Sequence, residues 1–249
     1  MAATLFDPRA DAAAAAQLIR VKGLLSHATG VDPDHAGLRL VVENGSTVVS
    51  GELPTLVCRK RAAAALAAAG AIDRLRVAVA DWPGDGVTGN RVARNFEENI
   101  DFRNCGLSLR AGTTAKELRP GLDGGDPSGQ IEISVVDGVV TLTGSVISLS
   151  HKRLASALAW WSSVARDVDN QLAIDPPEAD NDGEMSEALK LVLETDTGLP
   201  ADGIAVSARD GAVMLIGQVP NAADIARAEH DAWMLDGVRD VVNRLVVAG

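Results

Sequence analysis

The chain reads as an α+β protein built from three tandem α-β-β-α-β units, each a three-stranded mixed sheet packed against two helices. Three observations predict this. The stretches VENGSTVVSG (42–51), VVDGVVTLTG (135–144) and ARDGAVMLIG (208–217) each hold a turn-type dipeptide ending in glycine, with a second glycine six residues later. Each is followed by a residue suited to begin a helix. Each is preceded by a segment of helical periodicity. Internal repeats of this kind decide the fold before any single element does.

The hairpins come first because their signal is strongest. Asn-Gly and Asp-Gly between apolar alternations favour a type I′ turn, which needs positive φ at both central residues. With Asp137-Gly138 at the turn, Val135 faces Val140, Ile133 faces Leu142 and Ile131 faces Gly144. The third copy gives Ala208 with Val213, Val206 with Leu215 and Ile204 with Gly217; the first gives Val42 with Thr47, Leu40 with Val49 and Leu38 with Gly51. A slip of one residue would turn each apolar face outward, so three agreeing registers support one another.

A helix is predicted after each hairpin. Thr55, Ser148 and Asn221 share one aligned column four residues beyond the second glycine, and all are favoured N-cap types. After Ser148, the residues Leu154, Leu158 and Trp161 recur at i, i+4 and i+7 as one apolar stripe, which places Trp161 in the core. Trp160 lies about 100° round the same helix and is predicted half exposed. A short alternating strand closes each unit, with Val168, Leu172 and Ile174 in one copy and Val241, Leu245 and Val247 in another. Strand–helix–strand links of this kind cross over right-handed. Sliding the second copy by 73 residues onto the third aligns Trp160 with Trp233 and Asn170 with Asn243 without a gap; sliding the first by 93 puts Val77 where the others have asparagine.

Helices are also predicted before each hairpin, over 11–27, 90–104 and 184–195. The units then span 1–81, 88–175 and 184–249, joined by DWPGDGV and DPPEADNDGE, which are rich in Pro, Gly and acid. The middle unit carries an insertion at about 107–130, basic in its first half through Arg110, Lys116 and Arg119. It reads either as a tolerated surface excursion or as a docking loop.

Composition narrows the function. The net charge is −11, shared as +1 over 1–81, −3 over 82–175 and −9 over 176–249. Without a basic stripe such a chain is a poor nucleic-acid binder, since phosphate neutralisation dominates that affinity. Cys58 and Cys105 form no Cys-x-x-Cys pair and read as buried free thiols. The four histidines show no metal spacing, and the Asp32, Asp34 and His35 group is a weak candidate interrupted by Pro33. Gly138-x5-Gly144 is not a phosphate loop, because the spacing is one too long and no lysine follows. No cofactor motif and no catalytic set stands out, and carboxylates in linkers read as solvated. No secretory leader or spanning segment is visible, which points to the cytoplasm, with association to the envelope as the other expectation.

The hairpin pattern v-dG-V-L-G-V and the final strand V-x-N-l, seen at 131–174 and 204–247 and loosely at 38–79, resemble the BON domain. That resemblance implies the α-β-β-α-β topology. It also implies roles in envelope stress, phospholipid surfaces, ring- or pore-type assembly or, in one relative, potassium sensing. The expectation is a non-catalytic interaction protein that binds itself or another protein. Peripheral binding to anionic phospholipid is the alternative, and a ligand or potassium sensor the third. Candidate contacts are the basic cluster Arg59, Lys60 and Arg61, the half-exposed Trp160, and Arg110, Lys116 and Arg119 of the insertion. The bland reading of the basic cluster is a solvated helix face.

Overall fold

A computed structural model describes residues 8–121 and 129–248, and divides the chain into two compact units, Met1–Ala78 and Val79–Gly249. In the first unit, helix α1 (Pro8–Thr29) precedes strands β1 (Arg39–Glu43) and β2 (Ser46–Leu53), helix α2 (Leu56–Ala69) and strand β3 (Ile72–Val77). The sheet order is β1-β2-β3, antiparallel then parallel. Val21, Leu25, Val49, Leu53, Ala62, Leu66 and Leu75 form its core.

The second unit holds two such runs. The former consists of α3 (Asp85–Glu98), β4 (Gly106–Ala111), β5 (Thr114–Arg119), β6 (Gln130–Val136), β7 (Val139–Val146), α4 (Leu149–Trp160), β8 (Asp167–Asn170) and the short β9 (Ala173–Ile174). The latter consists of α5 (Asp182–Thr195), β10 (Ile204–Arg209), β11 (Ala212–Val219), α6 (Ala222–Met234) and β12 (Asp240–Val247).

The hairpin registers are those expected. Val135 pairs with Val140, Ile131 with Gly144, Ala208 with Val213, Ile204 with Gly217, and Leu40 with Val49. Both turn residues have positive φ in all three hairpins, as at Asp137 (51°) and Gly138 (77°). The second glycine is required by the hairpin itself. Gly144 and Gly217 also have positive φ, and a Cβ at either would collide with the backbone carbonyl oxygen of Gln130 or Gly203 across the hairpin. The first-turn carboxylate of the preceding helix then ties down the hairpin: Asp85 accepts from the Asp137 and Gly138 amides at 3.1 and 2.8 Å, and Asp182 from the Asp210 amide at 2.9 Å. The N-caps also form as expected, with Thr55, Ser148 and Asn221 accepting from the amides of Cys58, His151 and Asp224.

Three differences from the sequence reading matter. First, the described part of the insertion forms strands. Gly106–Ala111 pairs parallel to β6 and antiparallel to Thr114–Arg119, so the middle sheet has six strands, in the order β5-β4-β6-β7-β8 with β9 also on β7. Residues 122–128 of the insertion lie outside the described residues. Its LSLR stretch alternates apolar and polar residues, which suits a strand half-covered by α3.

Second, the ungapped shift of 93 fails at the third strand of the first unit. Val49 pairs with Asp73 where Leu142 pairs with Asn170 and Leu215 with Asn243, so the structural counterpart of the asparagines is Asp73, not Val77. The link from α2 to β3 is shorter than that from α4 to β8, and a uniform shift cannot register it. The three side chains do one local job: each accepts the amide two residues on, Leu75, Leu172 and Leu245, at 2.9–3.2 Å.

Third, helix α3 starts earlier than predicted, at Asp85, and ends in a separate turn at Ile100–Phe102 that buries Phe102 against Phe96, with ring centroids 5.1 Å apart. Cys105 is buried and Cys58 half-buried, both free.

Replacing Gly144 with alanine is expected to cost at least about 3 kcal/mol, since positive φ and a backbone collision act together. Gly45→Ala meets no neighbouring atom and carries the φ penalty alone. Urea unfolding of the two variants should rank them in that order.

Candidate functional site

The residues singled out in the sequence do not converge. Arg59, Lys60 and Arg61 follow the cap of α2, but Arg59 is buried and its Nη1 donates to Asp73 at 2.7 Å. The two runs of the second unit place the donor the other way round. There the asparagine amide reaches back to the helix, Asn170 to the Lys152 carbonyl and Ser156 hydroxyl, and Asn243 to the Ile225 carbonyl and Glu229. In the first unit the helix supplies the donor and the strand the acceptor. The reading of Arg59 as a solvated or partner-facing cation is therefore corrected: it replaces an asparagine amide in holding strand to helix. Lys60 is half-buried and Arg61 exposed.

In the extra hairpin, Arg110 makes a two-pronged pair with Glu132 at 2.7 and 2.6 Å, which lowers the Glu132 pKa and raises that of Arg110. Arg119 donates to the Cys105 and Phe102 carbonyls, closing the chain that leads into β4. Lys116 stays exposed on β5. Two of the three basic residues are thus committed to the fold.

Trp160 is corrected as well. It is 6% exposed, and Trp161, expected in the core, is the half-buried one. An apolar stripe at i, i+4 and i+7 marks the core only where a helix buries one face. In α4 every residue from Arg153 to Trp160 is buried. Its own sheet covers one side; α5 and α6 of the following repeat pack against another, and α3 adds the Asn95 amide, which donates to the Leu158 carbonyl at 2.8 Å. The small residues of LASALAW let these neighbours approach closely.

This two-repeat junction is the most developed polar constellation in the second unit. At its centre Arg153, 4% exposed, donates through Nη2 to both Asp180 oxygens at 2.8 Å and through Nε to the Asp236 carbonyl at 3.1 Å. The Ser156 hydroxyl donates to the Asp236 carboxylate. Glu178 accepts from the Leu149 amide at 2.8 Å, at the positive end of the α4 dipole. At the other end the Trp161 indole donates to Asp231 at 2.9 Å. Asp231 lies beside Asp196, which Arg227 grips with two hydrogen bonds.

The acidic linker is accordingly not merely solvated. Glu178, Asp180 and Asp182 each meet a donor: a helix end, a buried guanidinium and a hairpin turn. Sequence reasoning missed the junction, although one signal was there. A helix reading LSHKRLASALAW has no polar face after Arg153, and a helix apolar all round is buried all round.

The hydrogen bonds of this constellation tie the linker and the third repeat to α4. Ser148 and His151 approach at 2.7 Å, but the same hydroxyl accepts the His151 amide as a helix cap, and burial holds the imidazole below its usual value. Among the described residues no cluster of His, Cys, Asp and Glu is placed to hold a metal ion. No helix among them is long and apolar enough to cross a membrane.

Comparison with known proteins adds the following. The family model for the BON domain matches residues 121–176 and 181–249, half of the chain in all. No curated protein matches. Among solved structures, the chain is similar to the C-terminal domain of CdsD, described as the structural protein of the Type III secretion system of Chlamydia trachomatis, at 15% identity and a TM-score of 0.25, covering 93% of this chain and 98% of that one. A second structure of CdsD gives 14% identity and a TM-score of 0.24, with 91% of each chain covered.

Arg153→Ala is expected to cost about 2–3 kcal/mol, because it strips a buried junction of charge-assisted hydrogen bonds. Limited proteolysis of the linker at 175–182 should accelerate in that variant. Unchanged cleavage would mean that Arg153 does not fasten the linker.

Proposed function

This chain belongs to the BON domain family, and on that premise we propose that it is a non-catalytic interaction protein whose repeats assemble, with copies of itself first and with another protein second. The supporting observation is how the two repeats of the second unit use their surfaces. Their helical layers are consumed by packing on one another, whereas the outer face of the third repeat's sheet is left open. By register that face carries Met214 and Val242 side by side, with Ile216 next to Arg244 and Val246 next to Gln218. Ile216 is 45% and Val246 54% exposed. Aliphatic side chains on an open sheet face, rimmed by arginine, suit a protein surface better than a small ligand.

The N-terminal unit is, on this reading, a third and diverged copy. Its hairpin register, the glycine at 51, the Thr55 cap and Asp73 in the asparagine position support that reading.

Phospholipid binding has less behind it. Trp160 is buried, Arg59 is engaged with Asp73, Arg110 with Glu132 of β6, and Arg119 with the Phe102 and Cys105 carbonyls. The net charge of −11 also opposes attraction to an anionic surface.

Light scattering of the purified chain tests the assignment. An oligomer is expected at concentrations of tens of micromolar, and Ile216→Asp combined with Val246→Asp should return it to monomer without loss of thermal stability. A strict monomer defeats self-association. Co-sedimentation with anionic but not neutral vesicles at low salt would transfer the proposal to membranes.

A further inference from the structure

The open face of the third repeat's sheet carries a pattern that complements itself. On β12, Asp240, Val242 and Arg244 occupy alternate positions on that face, and on β11 Ala212, Met214 and Ile216 stand beside them in register. Alternation fixes the side, since the intervening Val213, Leu215 and Leu245 are buried. Asp240, Arg244 and Ile216 are exposed. The face thus has three rows: acid beside alanine, valine beside methionine, arginine beside isoleucine. In the middle repeat the positions of Met214 and Val242 hold Thr141 and Asp169, so the pattern belongs to the third repeat and not to the repeat unit.

We propose that this face docks on the same face of a second copy of the chain, across a twofold axis at Val242, giving a closed dimer. The inference rests on the self-association proposed above and names its surface, partner and symmetry. The axis lies between the two sheets and runs across their strands, so each strand is reversed and the strand order is kept. Val242 then meets Val242, and Met214 meets Met214. Arg244 of each chain meets Asp240 of the other, and each Ile216 lies over an Ala212. Such a contact is isologous, with every pairing made twice. It places aliphatic residues at the centre and opposite charges at both ends, which is the anatomy of a protein interface.

Neighbouring registers fail on charge. Moving the axis to the next row sets Arg244 on Arg244, and moving it the other way sets Asp240 on Asp240. A twofold running along β11 instead would bring Asp240 over Arg209 of β10, but it sets Val242 on Ser207 and buries less apolar surface at the centre. Arg209 also has an acidic neighbour in its own chain, Asp210 at 3.9 Å.

Size sets the strength. With β11 and β12 eight residues long and strands about 4.8 Å apart, the face offers roughly 400 Å² per chain. A standard interface buries about 800 Å² per partner, so this dimer is weak and its dissociation falls in the micromolar range.

Sedimentation of the full chain should show monomer and dimer exchanging with concentration and nothing larger. Arg244→Asp and Asp240→Arg each create two like-charge contacts and should each weaken the dimer at least about tenfold. Mixed in equal amounts they should dimerise again, because each chain then supplies the charge the other has lost. Arg209→Asp should associate like the parent. Val242→Glu and Val242→Lys should be monomeric alone and dimeric together, since this residue meets itself on the axis; that pair decides if the Asp240→Arg chain does not fold. A dimer that none of these charges alters overturns the pairing and leaves self-association through another surface. Single variants that stay monomeric when mixed, an effect of Arg209→Asp in place of Arg244→Asp, or species larger than a dimer overturn the twofold at Val242. A parent chain that is monomeric at every concentration overturns this inference together with the self-association beneath it.

Discussion

The second unit depends on the burial of one helix from both sides. A helix in a small α+β repeat ordinarily buries a single stripe, as α2 does with Leu56, Arg59, Ala62 and Leu66. Helix α4 buries an unbroken run from Arg153 to Trp160, and so cannot be satisfied by its own sheet. Its outward side is alanine, serine and tryptophan, which would be costly to leave in water and which α5 and α6 cover. Small domains bury proportionally little surface, and sharing a helix layer is one way for two of them to reach a workable core. The two repeats are held as a pair for that reason, and the polar network around Arg153 gives the pairing its geometry.

The network also shows where charge goes in an acidic chain. Residues 176–249 carry most of the negative charge, yet the carboxylates nearest the junction are each matched to a local donor. Glu178 sits at a helix N-terminus, Asp180 on Arg153, Asp236 on Ser156 and Asp196 on Arg227. A charge count along the sequence treats such groups as one field. In the folded chain they act singly, at distances where hydrogen-bond geometry outweighs the long-range sum. The same logic takes Arg59 out of the basic cluster at residues 59–61, since a cation with a carboxylate at 2.7 Å and little exposure has small reach beyond its partner.

How much of this could be read in advance follows the range of each interaction. The hairpins were legible to the residue, because a type I′ turn and a two-residue alternation fix the register locally. The caps at Thr55, Ser148 and Asn221 were legible for the same reason. What depended on another part of the chain was not. Trp160 and Trp161 exchanged roles because the second covering layer comes from residues more than twenty positions on. The insertion became two strands because α3 and β6 offered it a face and an edge. Asp73 was hidden by a shortened link that left its hydrogen bonds intact but broke the alignment. Family membership was legible from the two C-terminal copies, whose hairpin and final strand carry the motif together.

The asparagine column shows most directly how the scaffold motif is tied to the junction. Asn170, Asn243 and Asp73 all accept the same backbone amide, so that half of the motif serves the fold wherever it occurs. Their other contacts differ with the helix above: a carbonyl and Ser156 for Asn170, a carbonyl and Glu229 for Asn243, a guanidinium for Asp73. Ser156 is in turn the residue that reaches Asp236 of the neighbouring repeat. A chain of hydrogen bonds therefore runs from the third strand of one repeat, through its helix, to the end of α6 in the next. The scaffold motif and the junction are physically one network. The third repeat carries Glu229 at the position of Ser156, and there the side chain meets Asn243 within its own repeat.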